Sequence, residues 1–210
     1  MNNQLLTDFI AIPNFNTRMS LKNSVAEKLC LTCGLCCSGV IFADVQLQAG
    51  DDATRIEALG LPLRKVRNQR SEQTSSADAT PAMPKIKFSQ PCVAFDGCRC
   101  RIYAERPKYC RAFDCALLKN VKAGEVKKVD ALQMIEKARR RAERVRQLLR
   151  KLDDKDERVA LSLRFRRAVK RIEQSNVSQQ TAGTFSELTL AHHDLNLILS
   201  EHFYPGHSSP

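Results

Sequence analysis

The chain has 210 residues, 43% of them hydrophobic, with no tryptophan and 6% aromatic, so any core it builds is aliphatic. Lys and Arg outnumber Asp and Glu by 34 to 23. The opening MNNQLLTDFIAIP has no basic segment leading into an apolar run, and no stretch reaches about eighteen apolar residues. The reading is therefore of a cytoplasmic protein with no secretory leader, no transmembrane helix and no membrane partner.

In chain order, residues 1–29 read as a short lead-in, with a helix expected from Met19 or Ser20 into the first cysteine. "CLTCGLCCSG" follows and places Cys30, Cys33, Cys36 and Cys37 within eight residues. Val40, Ile41 and Phe42 look strand-like, and Asp44 suits the cap of a short helix. Asp51 to Leu59 reads as a helix stopped by Gly60 and Pro62. Residues 67–84 are polar, rich in Ser, Thr, Ala and Gln and interrupted by two prolines, which predicts a flexible insertion without metal ligands. Lys85 to Ser89 (KIKFS) alternates basic and apolar residues, as an edge strand would. "PCVAFDGCRCRIYAERPKYCRAFDC" then carries Cys92, Cys98, Cys100, Cys110 and Cys115.

The second half is helical in pattern. Ile135, Ala138, Ala142, Val145, Leu149 and Leu152 recur at steps of three and four, a seam along one long helix. Asp153 and Asp154 are positioned to start the next, with Leu161, Phe165, Ala168 and Ile172 on one face. A third follows with Phe185, Leu188, Leu195 and Ile198. The expected architecture is mainly α: a small irregular cysteine-ligated metal domain over residues 1–118, then a basic helical region over residues 119–210.

Nine cysteines in two blocks are hard to read as disulfides. The count is odd, adjacent cysteines bridge only through a strained ring, and a reducing compartment disfavours the bond. Several thiolates in one small volume suit a metal. C-x2-C-x2-C is the loop that iron–sulfur ferredoxins use, whereas zinc prefers paired knuckles from two distant segments. Both remain open, with the tight three-thiolate loop leaning toward iron–sulfur. Gly34 within the loop permits a positive φ and close backbone approach.

With both blocks in view, the chain resembles a cysteine-cluster family of zinc- or iron-chelating domains. Its signature is C-x2-C-x2-C-C, then P-C, then C-x-I-Y-x-x-R-P-x-x-C-R-x-F, matched here from Cys30 to Cys115. The resemblance implies Cys30, Cys33, Cys36, Cys37, Cys92, Cys100 and Cys110 as ligands, with Cys115 close behind and Cys98 as an extra thiol beside Cys100. The family includes flagellin lysine methylases, which are much longer, so a methylase-like modification enzyme is an alternative only. Arg106 and Arg111, inside the R-P-x-x-C-R element, are the candidates to balance thiolate charge; Arg101 and Lys108 are weaker ones. Tyr103 and Phe113 are expected to pack beside the cluster. His192, His193 and His202 are read as ordinary helical histidines and not as ligands.

Between Ala116 and Gln174 there are 19 Lys and Arg against 9 Asp and Glu, nearly the whole net charge. Glu136 and Glu143 interleave with the cations and no aromatics do, so a solvated helix face is favoured over a nucleic-acid footprint. No P-loop, dinucleotide fingerprint, G-x-S-x-G or H-E-x-x-H is present. The sequence thus predicts a protein binding zinc or an iron–sulfur cluster, in redox or metal handling for a protein partner. The other alternative is a nucleic-acid-associated factor with a structural metal.

Overall fold

The computed structural model describes residues 25–66, 85–97, 99–175 and 178–204. In order these form α1 (Val25–Cys33), β1 (Asp44–Gln46), α2 (Ala53–Ala58), β2 (Arg64–Val66) and β3 (Lys85–Ser89). A 3-10 turn (Tyr103–Glu105) then leads to α3 (Lys108–Ala112), α4 (Ala116–Ala123), α5 (Lys128–Lys151), α6 (Leu161–Glu173) and α7 (Gln179–His202). Helix makes up 58% of the described residues, so the fold is mainly α, with a helical C-terminal half. None of the described helices is long and apolar enough to cross a membrane. The expected start of the first helix and the insertion at 67–84 lie outside the described residues.

Local chemistry explains the short elements. The Asp52 carboxylate accepts from the Arg55 N–H at 3.0 Å and caps α2, as a side chain at that position does for an orphan helix donor. Val40 to Phe42, expected as a strand, instead belong to a turn: the Val40 and Ile41 amides both donate to the Leu35 carbonyl, at 3.1 and 3.2 Å. The strand starts at Asp44, the residue expected to cap a helix, and that carboxylate pairs with Lys87 (3.1 Å) and Arg64 (3.3 Å). Lys85–Ser89 is the middle strand and not an edge. The sheet order is β1-β3-β2, antiparallel throughout, with Val45 opposite Phe88 and Lys65 opposite Ile86. Alternation reports one solvated face, which a central antiparallel strand also has.

Two hydrophobic clusters result. The smaller joins Val45, Phe88, Ile56, Leu61 and Ala94 beneath the sheet. The larger is built on α5, where Ala131, Ala138, Ala142, Val145, Leu148 and Leu149 are each fully buried. Alanines at two successive turns let α7 come close, and Leu188, Leu195, Ile198 and Leu199 fill the seam. Leu29 of α1, with Leu35 and Val40 after it, packs into the same cluster. Each such side chain contributes roughly 1.5–3 kcal/mol by leaving water.

Helix α6 begins at Leu161 and not at the aspartates. Asp153 has φ +62° and Asp154 turns inward, where its carboxylate accepts from Arg164 Nε at 2.9 Å with both side chains 2% exposed. The Leu161 N–H donates to the Gly39 carbonyl at 2.9 Å and ties the helical half to the first cysteine loop. The basic face of α5 is exposed but largely engaged within the fold. Arg144 pairs with Glu187, Arg150 with Glu143 and Glu157, and Arg139 and Arg141 donate to the Thr32 and Asp194 carbonyls.

Candidate metal centre

Four thiols come from the end of α1 and the turn that follows. Gly34 takes φ +63°, and a Cβ there would lie 2.5 Å from Phe95 Cζ, so the ring of the second block fills the space a side chain would need. This reverses the chain after Cys33. Ser38 N–H then donates to the Gly34 carbonyl (2.8 Å) and Gly39 N–H to that of Cys36 (3.4 Å), holding Cys36 and Cys37 in a compact turn. The second block is joined to the first through the backbone, because the Cys92 N–H donates to the Cys37 carbonyl at 2.8 Å. Cys100 bridges to Phe95, Cys110 sits on α3, and Cys115 is the N-cap of α4.

The eight described cysteines are all free, and seven of them, all but Cys92, line two adjoining cavities, each of about 60 Å³. The first is lined by Cys30, Cys33, Cys36, Cys37 and Cys115, the second by Cys30, Cys36, Cys37, Cys100 and Cys110. Mutual electrostatics sort the thiols further. Cys36 is perturbed by Cys33, Cys30, Cys37 and Cys115, whereas Cys37 is perturbed by Cys92, Cys100, Cys110 and Cys30. The packing divides the same way, with Cys33 and Cys115 against the helical cluster and Cys92 and Cys110 against the sheet cluster. Two groups of four emerge: Cys30, Cys33, Cys36 and Cys115; and Cys37, Cys92, Cys100 and Cys110. Cys30, Cys36 and Cys37 border both cavities. Among the described residues no three His, Cys, Asp or Glu side chains already stand in coordinating geometry. The clustering is one of proximity: the backbone delivers the thiols to two cavities but does not close a shell around a point.

Residues 29–144, more than half of the 210-residue chain, match the family model CxxCxxCC, described as "Putative zinc- or iron-chelating domain". The chain belongs to this family. The match runs past the second cysteine block and into α5, so part of the basic helix lies within the family's domain and not beyond it. No curated protein and no solved structure shows a significant match.

The donor set suits such a domain, since soft thiolates select zinc and iron–sulfur over hard cations. Burial sets the state of the metal-free thiols. It pushes Cys33 and Cys110 up to about 12, Cys37 and Cys36 well above the ordinary range, and Cys30, Cys92, Cys100 and Cys115 upward. Neighbouring sulfurs add to the effect, because each thiolate disfavours the next. At neutral pH the metal-free thiols are protonated, and a metal must displace those protons.

Cations counter this. Arg106 lowers the cost of charge at Cys30, Cys100 and Cys110, and it is held there by donating to the Tyr103 and Cys110 carbonyls and lying 3.6 Å over the Tyr103 ring. Arg101 acts on Cys92. Two cations outside the cysteine motif do the same: Arg139 at Cys33 and Lys122 at Cys30. Their only sequence signal was a place on a basic helix. Lys108 instead ties a loop, its ammonium donating to the Ala49 carbonyl at 2.7 Å, and Arg111 is exposed. Phe113 packs edge-on to Phe42 at 4.8 Å and lines both cavities, as expected of a residue beside the cluster. His192 stacks on Phe165 at 3.7 Å, away from the thiols. Cys98 lies outside the described residues.

Proposed function

We propose that this chelating domain carries two thiolate centres and serves in redox or metal handling for a protein partner. The observation that carries the reading is the division of eight free thiols into two groups of four by their mutual electrostatics, which packing repeats for Cys33 and Cys115 on one side and Cys92 and Cys110 on the other. Cys30, Cys33, Cys36 and Cys115 would hold one centre; Cys37, Cys92, Cys100 and Cys110 would hold the other. Four thiolates satisfy a tetrahedral zinc or a four-cysteine iron–sulfur cluster. Bound zinc supplies folding free energy, and a cluster supplies one-electron chemistry.

The chain's own residues have separable jobs. Leu29, Leu35, Ile41, Leu117, Leu118 and Ile135 wall the first cavity and exclude water from it. Arg106, Arg101, Arg139 and Lys122 offset the negative charge that two four-thiolate centres leave after a divalent ion binds. Gly34 and Phe95 fix the reversal between Cys33 and Cys36. A reducing compartment suits a chain whose thiols must stay free for metal.

Anaerobic purification followed by a visible spectrum and assays of iron, zinc and acid-labile sulfide per chain tests the proposal. Brown protein with matching iron and sulfide supports clusters, and colourless protein with about two zinc ions per chain supports zinc centres. Protein free of all three sinks the reading.

A further inference from the structure

The second cavity holds a group that no cysteine motif accounts for. Gln90 follows β3, its backbone N–H donates to the Ala43 carbonyl at 3.0 Å, and its side chain lines the cavity together with Cys37, Cys100 and Cys110. The residue is 3% exposed, and its Oε1 is buried with no hydrogen-bond partner among the described residues. A buried acceptor left unsatisfied costs about 1–3 kcal/mol, and native proteins keep one where an ion, a water or a reacting group meets it. An apolar residue would fill the same space without that cost, so the amide needs an occupant of the cavity to explain it.

We infer that Gln90 is the non-thiol ligand of the second centre, its amide oxygen completing a tetrahedral shell with Cys37, Cys100 and Cys110, the thiols of that group that line the same cavity, in place of Cys92, which lines neither cavity. This rests on the reading of the eight thiols as two centres. The class of cation follows from the donors: zinc(II) or iron(II) accept mixed sulfur and oxygen ligation, whereas calcium and magnesium avoid thiolates. The two centres are then unequal. Beyond its thiols the first cavity is walled by aliphatic and aromatic side chains, which makes a closed all-sulfur site. The second has an oxygen donor at its edge and the Arg106 guanidinium beside it, which makes a site with an exchangeable position.

The test uses the full chain as purified anaerobically, with zinc and iron per chain counted after dialysis against rising EDTA. Gln90→Leu removes the oxygen and keeps an apolar side chain of similar reach; Gln90→Glu keeps an oxygen. The expected result is that Gln90→Leu gives up one fraction of its metal at about 10–100-fold lower EDTA than wild type and keeps the other fraction at the wild-type midpoint. Gln90→Glu should hold both fractions at wild-type EDTA or above. Far-UV circular dichroism checks that each variant is folded; if Gln90→Leu is not, Gln90→Glu decides alone. A folded Gln90→Leu with both midpoints unchanged, or with both fractions lost together, overturns the inference while leaving the two thiolate centres standing. A folded Gln90→Glu that sheds one fraction early overturns it too. Wild-type protein without metal overturns the proposed function itself, and this inference with it.

Discussion

Replacing Gly34 by alanine separates two costs that the structure keeps distinct. The first is conformational: at φ +63° an L-residue sits in the left-handed region, at about 1–2 kcal/mol. The second is steric. The new Cβ would meet Phe95 Cζ at 2.5 Å, and that ring cannot retreat freely, because the Phe95 N–H donates to the Cys92 carbonyl at 2.9 Å and the residue bridges Cys100. Overpacking of this kind costs about 1–3 kcal/mol, giving a total of about 2–5 kcal/mol against a typical domain stability of about 5–15 kcal/mol. Gly60 is the control, with φ +89° and nothing within 4 Å of its missing Cβ, so Gly60→Ala carries the conformational cost alone. Urea unfolding of the metal-loaded variants should place Gly34→Ala about 1–3 kcal/mol below Gly60→Ala. Metal per chain should fall only in Gly34→Ala, since the overlap pushes Cys33 and Cys36 apart. Phe95→Leu in the Gly34→Ala background should recover part of both losses. Equal destabilisation by the two alanines, with full metal in each, would refute the claim that the ring and the glycine shape the site together.

Cys33→Ser should remove one fraction of the metal and Cys110→Ser the other, with none left in the double variant; loss of the same fraction in both would show that the eight thiols do not divide. Burial raises Cys33 and Cys110 to about 12 in the metal-free fold, above the unfolded value of about 8.5, so the folded chain holds more protons between those limits. That stability is complete below about pH 8.5 and declines as pH climbs toward the folded values, so thermal melting of metal-free protein should drop steadily from about pH 9 upward. A flat melting temperature there would mean that the thiols are not buried. The metal-loaded protein should show no such alkaline drop and should instead release metal on acidification, as protons reclaim the thiolates. Asp154→Asn leaves Arg164, 2% exposed, as an unpaired buried charge and should cost about 3–5 kcal/mol in urea unfolding, with a loss under about 1 kcal/mol speaking against a dry pair.

Spacing carried what depends on neighbours along the chain. The seam of α5 at Ile135, Ala138, Ala142, Val145 and Leu149 was legible because a helix repeats every 3.6 residues, and the cap at Asp52 belongs to the region read as a short helix. What spacing could not carry was the sorting of thiols. Cys36 and Cys37 are adjacent, about 3.8 Å apart at Cα, and line both cavities, yet the sulfurs that act on them differ: Cys33, Cys30 and Cys115 on Cys36, Cys92, Cys100 and Cys110 on Cys37. The place of Lys85–Ser89 in the sheet was hidden for a similar reason: alternation tells which face is wet but not how many strands lie alongside. Gln90 carried no signal at all, since one glutamine before a proline is ordinary until its surroundings are known.

The hydrogen bond from the Ala116 N–H to the Phe203 carbonyl, at 3.2 Å, sets an order of assembly. Phe203 is fully buried, and Cys115 sits one residue before the donor. A ribosome delivers seven of the eight described cysteines, and then Cys115, long before it delivers Phe203, whose carbonyl holds the amide next to Cys115. Domains form from the N-terminus as they emerge, so on the proposed division the group of Cys37, Cys92, Cys100 and Cys110 would be ready to capture metal early, on the nascent chain. The group proposed to need Cys115 would close only once α7 has been made and has docked along α5. The two centres would therefore be filled at different moments in the life of the protein, the second one as a seal on a finished fold.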